Sequence, residues 1–240
     1  MKSGNPAFGK KFLKNITSVQ GTSAMTIQGT INKTLLLFGL AVFSASWVWS
    51  NPMKFIPLIF PLSILCIVVA ILTMFKKEWA GITSPIYALF EGMILGSISS
   101  LLERSYPGIV IQAVMLTFGT LFCLLMAYKT GIIKVTEKFK SGIIAGTGAI
   151  ALIYIISFVV GMFGVRMPLV YGNGFVGIIF SLFVVVIAAL NLVLDFDFIK
   201  KMEEYKVPKY MEWYGAFSIM LTLVWLYFEI LRLLSKLRSR

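Results

Sequence analysis

The amino-acid sequence predicts an all-α integral membrane protein with seven transmembrane helices. The chain has 240 residues, of which 58% are hydrophobic and only 13% charged, and its mean hydropathy is +0.89. A soluble domain carries roughly 25% charged residues, and a spanning helix needs about 20 mainly apolar residues. Seven apolar segments of about that length follow one another with short polar connections, which leaves little room for a domain outside the membrane.

The apolar segments define one membrane domain over residues 34–235. A polar, basic N-terminal tail precedes it at 1–33, and a basic C-terminal tail follows at 236–240. Periodicity does not distinguish strand from helix in a continuous apolar run, but segments of this length indicate helices. We expect spans at 34–49, 55–75, 84–102, 108–128, 142–164, 174–199 and 213–234.

The connections justify these bounds in chain order. The first is the Asn51-Pro52 turn, and the next is a charged stretch at 76–78. A Tyr-Pro-Gly turn, a basic stretch, a glycine-rich turn and a second charged stretch separate the later spans, at 106–108, 129–140, 171–174 and 200–209. Proline, glycine and clustered charge all end helices, and tryptophans near several ends resemble the aromatic belts of membrane proteins.

Lysine and arginine predict the orientation. With the N-terminus inside and seven crossings, the inner side holds 15 basic residues and the outer side 7. Basic residues favour the cytoplasmic side, so we expect the N-terminus inside, although the basic C-terminal tail then lies outside. Because basic residues cluster at segment ends and form no face with interleaved aromatic residues, they favour lipid contact over nucleic-acid binding.

Acidic side chains inside the apolar segments are the candidate functional residues. They are Glu91, Asp195, Asp197 and Glu229. A charged side chain in the hydrocarbon costs about 2.5–3.5 kcal/mol on insertion scales, so such groups usually face a bundle interior or a hydrated cavity. The chain has no histidine, so any proton chemistry must use carboxylates. We interpret the four acids as gating or ion-binding residues.

Two of these acids are expected to lie at a similar membrane depth. Glu91 is about 10 Å into its segment, and Asp197 is about 5–9 Å from the same predicted face. The two carboxyls could therefore meet, share a proton, and repel each other once both ionise. Oxygen ligands suit calcium, so we expect Asp197 and Glu91 to be weak calcium ligands. The alternative is that Asp195 and Asp197 are interfacial, close to Lys200-Lys201.

Three further residues are predicted to lie beside these acids. Asn191 is four residues before Asp195 and shares its helix face. Thr222 is seven residues before Glu229, also on one face. Arg232 is three residues after Glu229, and an ion pair between them would be a structural alternative to a functional role for this acid.

Other motifs point to packing instead of chemistry. Cys66 and Cys123 lie in apolar runs without metal-ligand spacing, and we interpret both as small buried apolar side chains. Gly92-x-x-x-Gly96 and a second such motif at 142–146 predict close helix contacts. Because no nucleophile and base occur together, we expect neither an enzyme nor a bound cofactor.

Four motifs are specific when taken together: Met25-Thr26, Tyr87-Ala88-Leu89-Phe90-Glu91-Gly92, Leu190-Asn191-Leu192-Val193-Leu194-Asp195-Phe196-Asp197-Phe198 and Lys209-Tyr210-Met211-Glu212-Trp213-Tyr214. With them the chain resembles the Bax inhibitor-1/YccA family of membrane proteins, in particular a bacterial branch. The resemblance covers most of residues 25–240 and implies a central seventh helix wrapped by two layers of three helices, in a bacterial inner membrane. It also implies a pH-sensitive calcium leak controlled by an acidic pair on helices six and seven.

Only part of the family's acidic pair on helices six and seven has a clear match in this sequence. Asp197 matches the helix-six acid through Phe196-Asp197. The motif ending at Glu229 resembles the helix-seven motif, but the family spacing falls nearer Thr222. The second span also lacks the latch arginine of some family members. Glu91 could therefore supply the second carboxylate.

These observations predict a pH-sensitive calcium or cation leak channel, gated by protonation shared among buried carboxylates. The alternative is a non-conducting interaction protein that modulates a membrane protease or other membrane proteins, with the N-terminal tail available for capture. A transporter with inverted repeats is disfavoured because no internal symmetry is visible. The expected partners are the lipid bilayer and calcium ions or protons.

Overall fold

The computed structural model describes residues 24–165 and 167–239. Within this part of the chain, seven helices are long and apolar enough to cross a membrane, which confirms the predicted all-α membrane fold. Short helical turns over Pro52–Phe55 and Pro168–Tyr171 accompany them. The seven helices are α1 (Ile27–Trp49), α2 (Ile59–Phe75), α3 (Ala80–Ser105), α4 (Ile109–Lys129), α5 (Glu137–Met162), α6 (Phe175–Glu204) and α7 (Met211–Arg238).

Several helices extend beyond the apolar segments. The apolar pattern predicts a first span from residue 34, but α1 begins at Ile27. The reason is a local cap, because Thr26 Oγ1 accepts a hydrogen bond from the amide of Gly29 at 2.9 Å. At the other end, α7 continues to Arg238 and includes part of the predicted C-terminal tail. Residues 1–23 of the predicted N-terminal tail lie outside the described residues.

The chain forms two compact units, and the first comprises residues 1–97 and 197–220. Its described part contains α1, α2, most of α3, the end of α6 and the start of α7. In this unit α3 packs directly on the backbone of α1. A Cβ atom on Gly92 would overlap the carbonyl oxygen of Ala41, and one on Gly96 would overlap that of Ala45. The predicted small-residue contact is therefore confirmed for this motif.

The second unit comprises residues 98–196 and 221–240. The second glycine motif contributes only partly to its packing. A Cβ on Gly146 would lie 3.1 Å from Cδ1 of Ile187, whereas one on Gly142 would meet nothing within 4 Å. A hydrogen bond also joins α5 and α6, since Asn191 Nδ2 donates to Thr147 Oγ1 at 2.8 Å.

Basic residues near the end of α7 form hydrogen bonds within the second unit. Lys236 is buried, and its Nζ donates to the carbonyl oxygen of Gly177 at 3.0 Å and to Ser181 Oγ at 2.8 Å. Arg238 Nη1 donates to the carbonyl oxygen of Pro107 at 2.7 Å. These internal bonds give the cations a packing role.

Large apolar side chains remain exposed on several helices. In the most apolar stretch of Lys77–Ser105, which contains α3, half of the residues are buried, but only 11% are buried in that of Pro52–Phe75, which contains α2. On α2, Phe60 and Ile67 are 69% and 59% exposed. Lipid tails are as apolar as these side chains, so a bilayer accommodates surfaces that would be a liability in water.

Candidate functional site

Glu91 is a buried carboxyl group within α3, with 8% of its surface exposed. Tyr87 lies one helical turn earlier, and its hydroxyl hydrogen-bonds the Glu91 carboxyl. Cys66 on α2 brings its thiol to the same carboxyl, also as a hydrogen-bond partner. Hydroxyl and thiol donors are both neutral. Glu91 is thus an acid in a membrane helix with uncharged hydrogen-bond donors.

Close packing holds Glu91 in this position. The next residue, Gly92, meets α1 at Ala41 and at Ser44 Oγ, with no space for a Cβ atom. The ring of Tyr87 packs edge-on against Phe217, with centroids 5.2 Å apart and planes at 81°. Both α1 and α7 therefore pack against residues next to Glu91 on α3, and this packing fixes the position of the Glu91 carboxyl within the first unit.

Glu229 on α7 is also buried, but it has a counter-ion. Arg232 Nη1 lies 3.1 Å from Oε1 and 3.2 Å from Oε2 of Glu229, so the predicted ion pair within one helical turn is present. Tyr154 of α5 donates its hydroxyl to Glu229 Oε1 at 2.8 Å and accepts from Arg232 Nη1 at 2.6 Å. The three side chains form one hydrogen-bonded group in which the charges of Glu229 and Arg232 cancel.

The two aspartates of α6 are half-buried near the end of that helix. Lys201 Nζ lies 2.5 Å from Asp197 Oδ2, and the side chain of Lys201 is 40% exposed. This ion pair fits the alternative that Asp197 is interfacial. Asn191, which was predicted to lie beside Asp195, uses its amide to bond Thr147. Thr222 is half-buried on α7.

A second pair of carboxylates holds the start of α1, and the sequence pattern does not single it out. Glu212 is 1% exposed, and its Oε1 accepts hydrogen bonds from Thr26 N at 3.0 Å and Thr26 Oγ1 at 3.1 Å. Its Oε2 pairs with Lys33 Nζ. Glu203 Oε1 accepts from the amide of Ile27 at 2.8 Å. We call these five residues the α1 clamp. In the sequence, Glu212 is noticeable as the acid of the Lys209–Tyr214 motif, but that motif does not reveal its partners.

A comparison with known protein families shows to which family this chain belongs. The family model described as Bax inhibitor 1 like matches residues 5–239. The chain belongs to the Bax inhibitor 1 like family. A search of curated proteins found no match. The family resemblance inferred from the motifs is confirmed at this level, whereas the closer relation to YccA and to a bacterial branch stays a prediction. Seven apolar helices and this membership make it a multi-pass membrane protein.

In this Bax inhibitor 1 like protein, the predicted acids do not build a metal cluster. Over residues 24–165 and 167–239, no three or more His, Cys, Asp or Glu side chains are grouped to hold a metal ion. Glu91 hydrogen-bonds Cys66, and Asp197 pairs with Lys201. Sharing of a proton by Asp197 with Glu91 or Glu229, and weak calcium binding by Asp197 and Glu91, stay predictions.

The two cysteines of this Bax inhibitor 1 like protein differ in environment. Cys66 is buried, as predicted, and lies beside Glu91, but Cys123 on α4 is exposed. The prediction of two buried thiols is therefore wrong for Cys123. An apolar run indicates that a segment lies in the membrane, but it does not tell which of its faces meets protein and which meets lipid.

Proposed function

We propose that the protein is a slow, pH-sensitive leak for calcium or a related cation, controlled by the protonation state of Glu91. The observation that carries the proposal is this buried carboxyl in a membrane helix, with the neutral donors Tyr87 and Cys66. Ionisable groups inside a membrane bundle usually mark ion or proton pathways. The resemblance described in the sequence analysis implies the same activity, in a bacterial inner membrane.

The difference between Glu91 and Glu229 supports assigning the proton response to Glu91. Glu229 already has a counter-ion, because Arg232 lies within ion-pair distance of its carboxylate. The hydrogen-bond donors of Glu91 are neutral, so its charge can change without breaking an ion pair. Glu229 therefore suits a structural ion pair, and Glu91 suits a group that changes charge.

The proposed gate follows from what each state of Glu91 does. An ionised carboxylate within the bundle attracts a cation and the water that accompanies it. A protonated carboxyl is a hydrogen-bond donor as well as an acceptor, so it can join neighbouring polar groups without a cation. In the fuller form of the proposal Asp197 shares this proton, with Asp195 two residues earlier on α6.

Calcium flux into liposomes that contain the purified protein tests the proposal. Flux is measured across the physiological pH range for the native protein and for Glu91→Gln, Asp197→Asn and Glu229→Gln. Glu204→Gln is the matched control because Glu204 is exposed. We expect Glu91→Gln to lose the pH response and Glu204→Gln to keep it. An unchanged pH response in Glu91→Gln would remove this residue from the gate.

The same experiment separates the alternative function. A native protein without flux at any pH would favour the non-conducting interaction protein. Deletion of residues 1–24 then discriminates, because a partner such as a membrane protease would be lost from co-purification if the N-terminal tail captures it. A leak would persist after this deletion.

A further inference from the structure

We propose that Ser84 is a buried hydration site on a proton path to Glu91, leading from the membrane face where α3 begins. The inference concerns how water reaches Glu91 and does not depend on calcium conduction. Ser84 is 0% exposed, and its hydroxyl has no hydrogen-bond partner among the residues that the structure describes. A buried polar group of this kind generally indicates an ordered water.

Among the described residues, Ser84 and Ser157 of α5 are buried serines whose hydroxyls lack a hydrogen-bond partner, unlike the buried threonines of these helices. Thr83 and Thr117 each donate to the carbonyl oxygen four residues earlier, at 3.1 and 2.7 Å. That bond satisfies a hydroxyl in an apolar helix without any outside partner. Ser84 does not use it, so its hydroxyl is available to a molecule that the helix itself does not supply.

A second polar group close to Ser84 also lacks its usual partner. Pro85 lies inside α3, and proline has no amide hydrogen. The carbonyl of Gly81, four residues earlier, therefore loses the donor that an α-helix would normally provide. A buried water needs two to four polar partners, and this carbonyl and the Ser84 hydroxyl lie within one helical turn of each other.

Ser84 shares a helix face with the residues that reach Glu91. Positions 84, 87 and 91 have the spacing of one side of a helix, and Ser84 lies about 10 Å from Glu91 along the axis. Tyr87 lies between them and hydrogen-bonds Glu91. Water at Ser84 would thus connect through the Tyr87 hydroxyl to the carboxyl. Nearer the start of α3, Thr73 Oγ1 donates to Thr83 Oγ1 at 2.7 Å, and these two hydroxyls place polar groups beside Ser84 in the chain.

The surroundings of Glu91 are consistent with proton transfer along this route. The titratable groups in contact with it are Tyr87 on α3 and Cys66 on α2. From the other packed helices, α1 brings Ser44 against Gly92, and α7 brings Phe217 against Tyr87. Each hydroxyl or water on the path accepts one proton and releases another. The net change is one proton taken from the solution and one added to the Glu91 carboxylate.

Thiol deuteration tests the hydration directly. The sequence contains only two cysteines, so Cys66→Ser with Cys123→Ser gives a thiol-free background in which Ser at position 66 keeps a donor for Glu91. Ser84→Cys and Thr117→Cys are then compared in that background by the infrared S–H to S–D exchange after transfer to D2O. Thr117 is the control because it is buried and its hydroxyl is satisfied by Ala113. We expect exchange about tenfold faster or more at position 84, because exchange needs contact with water. Equally slow exchange at both positions would overturn the proposal.

Deuteration of Glu91 itself tests the path. The carboxyl band of protonated Glu91, identified by its loss in Glu91→Gln, is followed after transfer to D2O. Ser84→Ala should slow its deuteration by about tenfold, and Thr117→Val should leave the rate unchanged. Thermal unfolding of both variants confirms that they are folded. A native rate in Ser84→Ala would show that protons reach Glu91 by another route.

Discussion

Lys33 on α1 and Glu212 at the start of α7 form a buried ion pair that ties the first helix to the last. The side chain of Glu212 is 2% exposed and that of Lys33 is 19% exposed. The same carboxylate accepts two hydrogen bonds from Thr26, the residue that caps α1. Because a helix N-terminus carries a partial positive charge, a carboxylate there is stabilised by both the helix and the lysine.

Removal of the Glu212 carboxylate should destabilise the protein. Glu212→Ala leaves Lys33 and the amide of Thr26 without partners, and we expect a loss of about 3 kcal/mol in the free energy of unfolding. Glu212→Gln keeps an acceptor for Thr26 and should cost less, about 1–2 kcal/mol. Chemical unfolding in detergent micelles measures both. Glu204→Ala, at an exposed carboxylate, should stay within about 0.5 kcal/mol of the native protein. Equal losses at both positions would contradict a stabilising clamp.

Gly29 should be intolerant of a side chain because Glu212 occupies the space beside it. A Cβ atom on Gly29 would overlap the Glu212 carboxylate, whereas one on Gly39 of the same helix would meet nothing within 4 Å. Gly29→Ala should cost about 1–3 kcal/mol through overpacking. Gly39→Ala should be neutral or stabilising by up to about 1 kcal/mol, since alanine favours helix. The difference between the two midpoints of unfolding is the measurement, and no difference would argue against the observed position of Glu212.

The backbone contact between α1 and α3 should be as sensitive to an added side chain as the contact at Gly29. Gly92→Ala places a methyl group against the carbonyl oxygen of Ala41, and a backbone atom cannot rotate away. We expect a loss of about 1–3 kcal/mol and altered flux, because Glu91 is the adjacent residue. Gly119→Ala on α4 is the control, since its Cβ would lie in open space. Native stability in Gly92→Ala would show that the two helices can separate without cost.

The Glu229–Arg232 pair should behave as a coupled unit. Arg232→Met leaves a buried carboxylate without its counter-ion and should cost about 3 kcal/mol. Adding Glu229→Gln to Arg232→Met should recover much of that loss, because the uncompensated charge disappears. Tyr154→Phe removes one hydrogen bond and should cost about 1 kcal/mol. Unfolding of the two single variants and the double variant gives the coupling energy. Additive losses would mean that the two side chains do not interact.

The sequence predicts a local contact far more readily than a distant one. Arg232 was predicted to pair with Glu229 because residues three apart on a helix are neighbours whatever the rest of the chain does. Cys66 and Glu91 lie on different helices, and Lys33 and Glu212 are 179 positions apart. Hydropathy carries no information about which faces of two helices meet, so neither contact could be inferred.

The residues at which helices begin and end are also only partly predictable from the sequence. The apolar pattern predicts the first span from residue 34, but the Thr26 cap starts α1 at Ile27. Hydropathy follows the hydrocarbon layer, whereas a helix ends where its backbone groups find other partners. The clamp carboxylates Glu203 and Glu212 provide such partners from distant positions in the chain.

The sequence by itself determined that this chain crosses a membrane as seven helices, because a long apolar segment in a bilayer must satisfy its backbone hydrogen bonds internally. It also identified the acids whose burial in such helices calls for an explanation. Only the tertiary structure decided the partners: neutral donors for Glu91, a tyrosine beside the Glu229 ion pair, and the N-terminus of α1 for Glu212. The environment of a charge depends on side chains that packing brings together, and packing is a property of the whole fold.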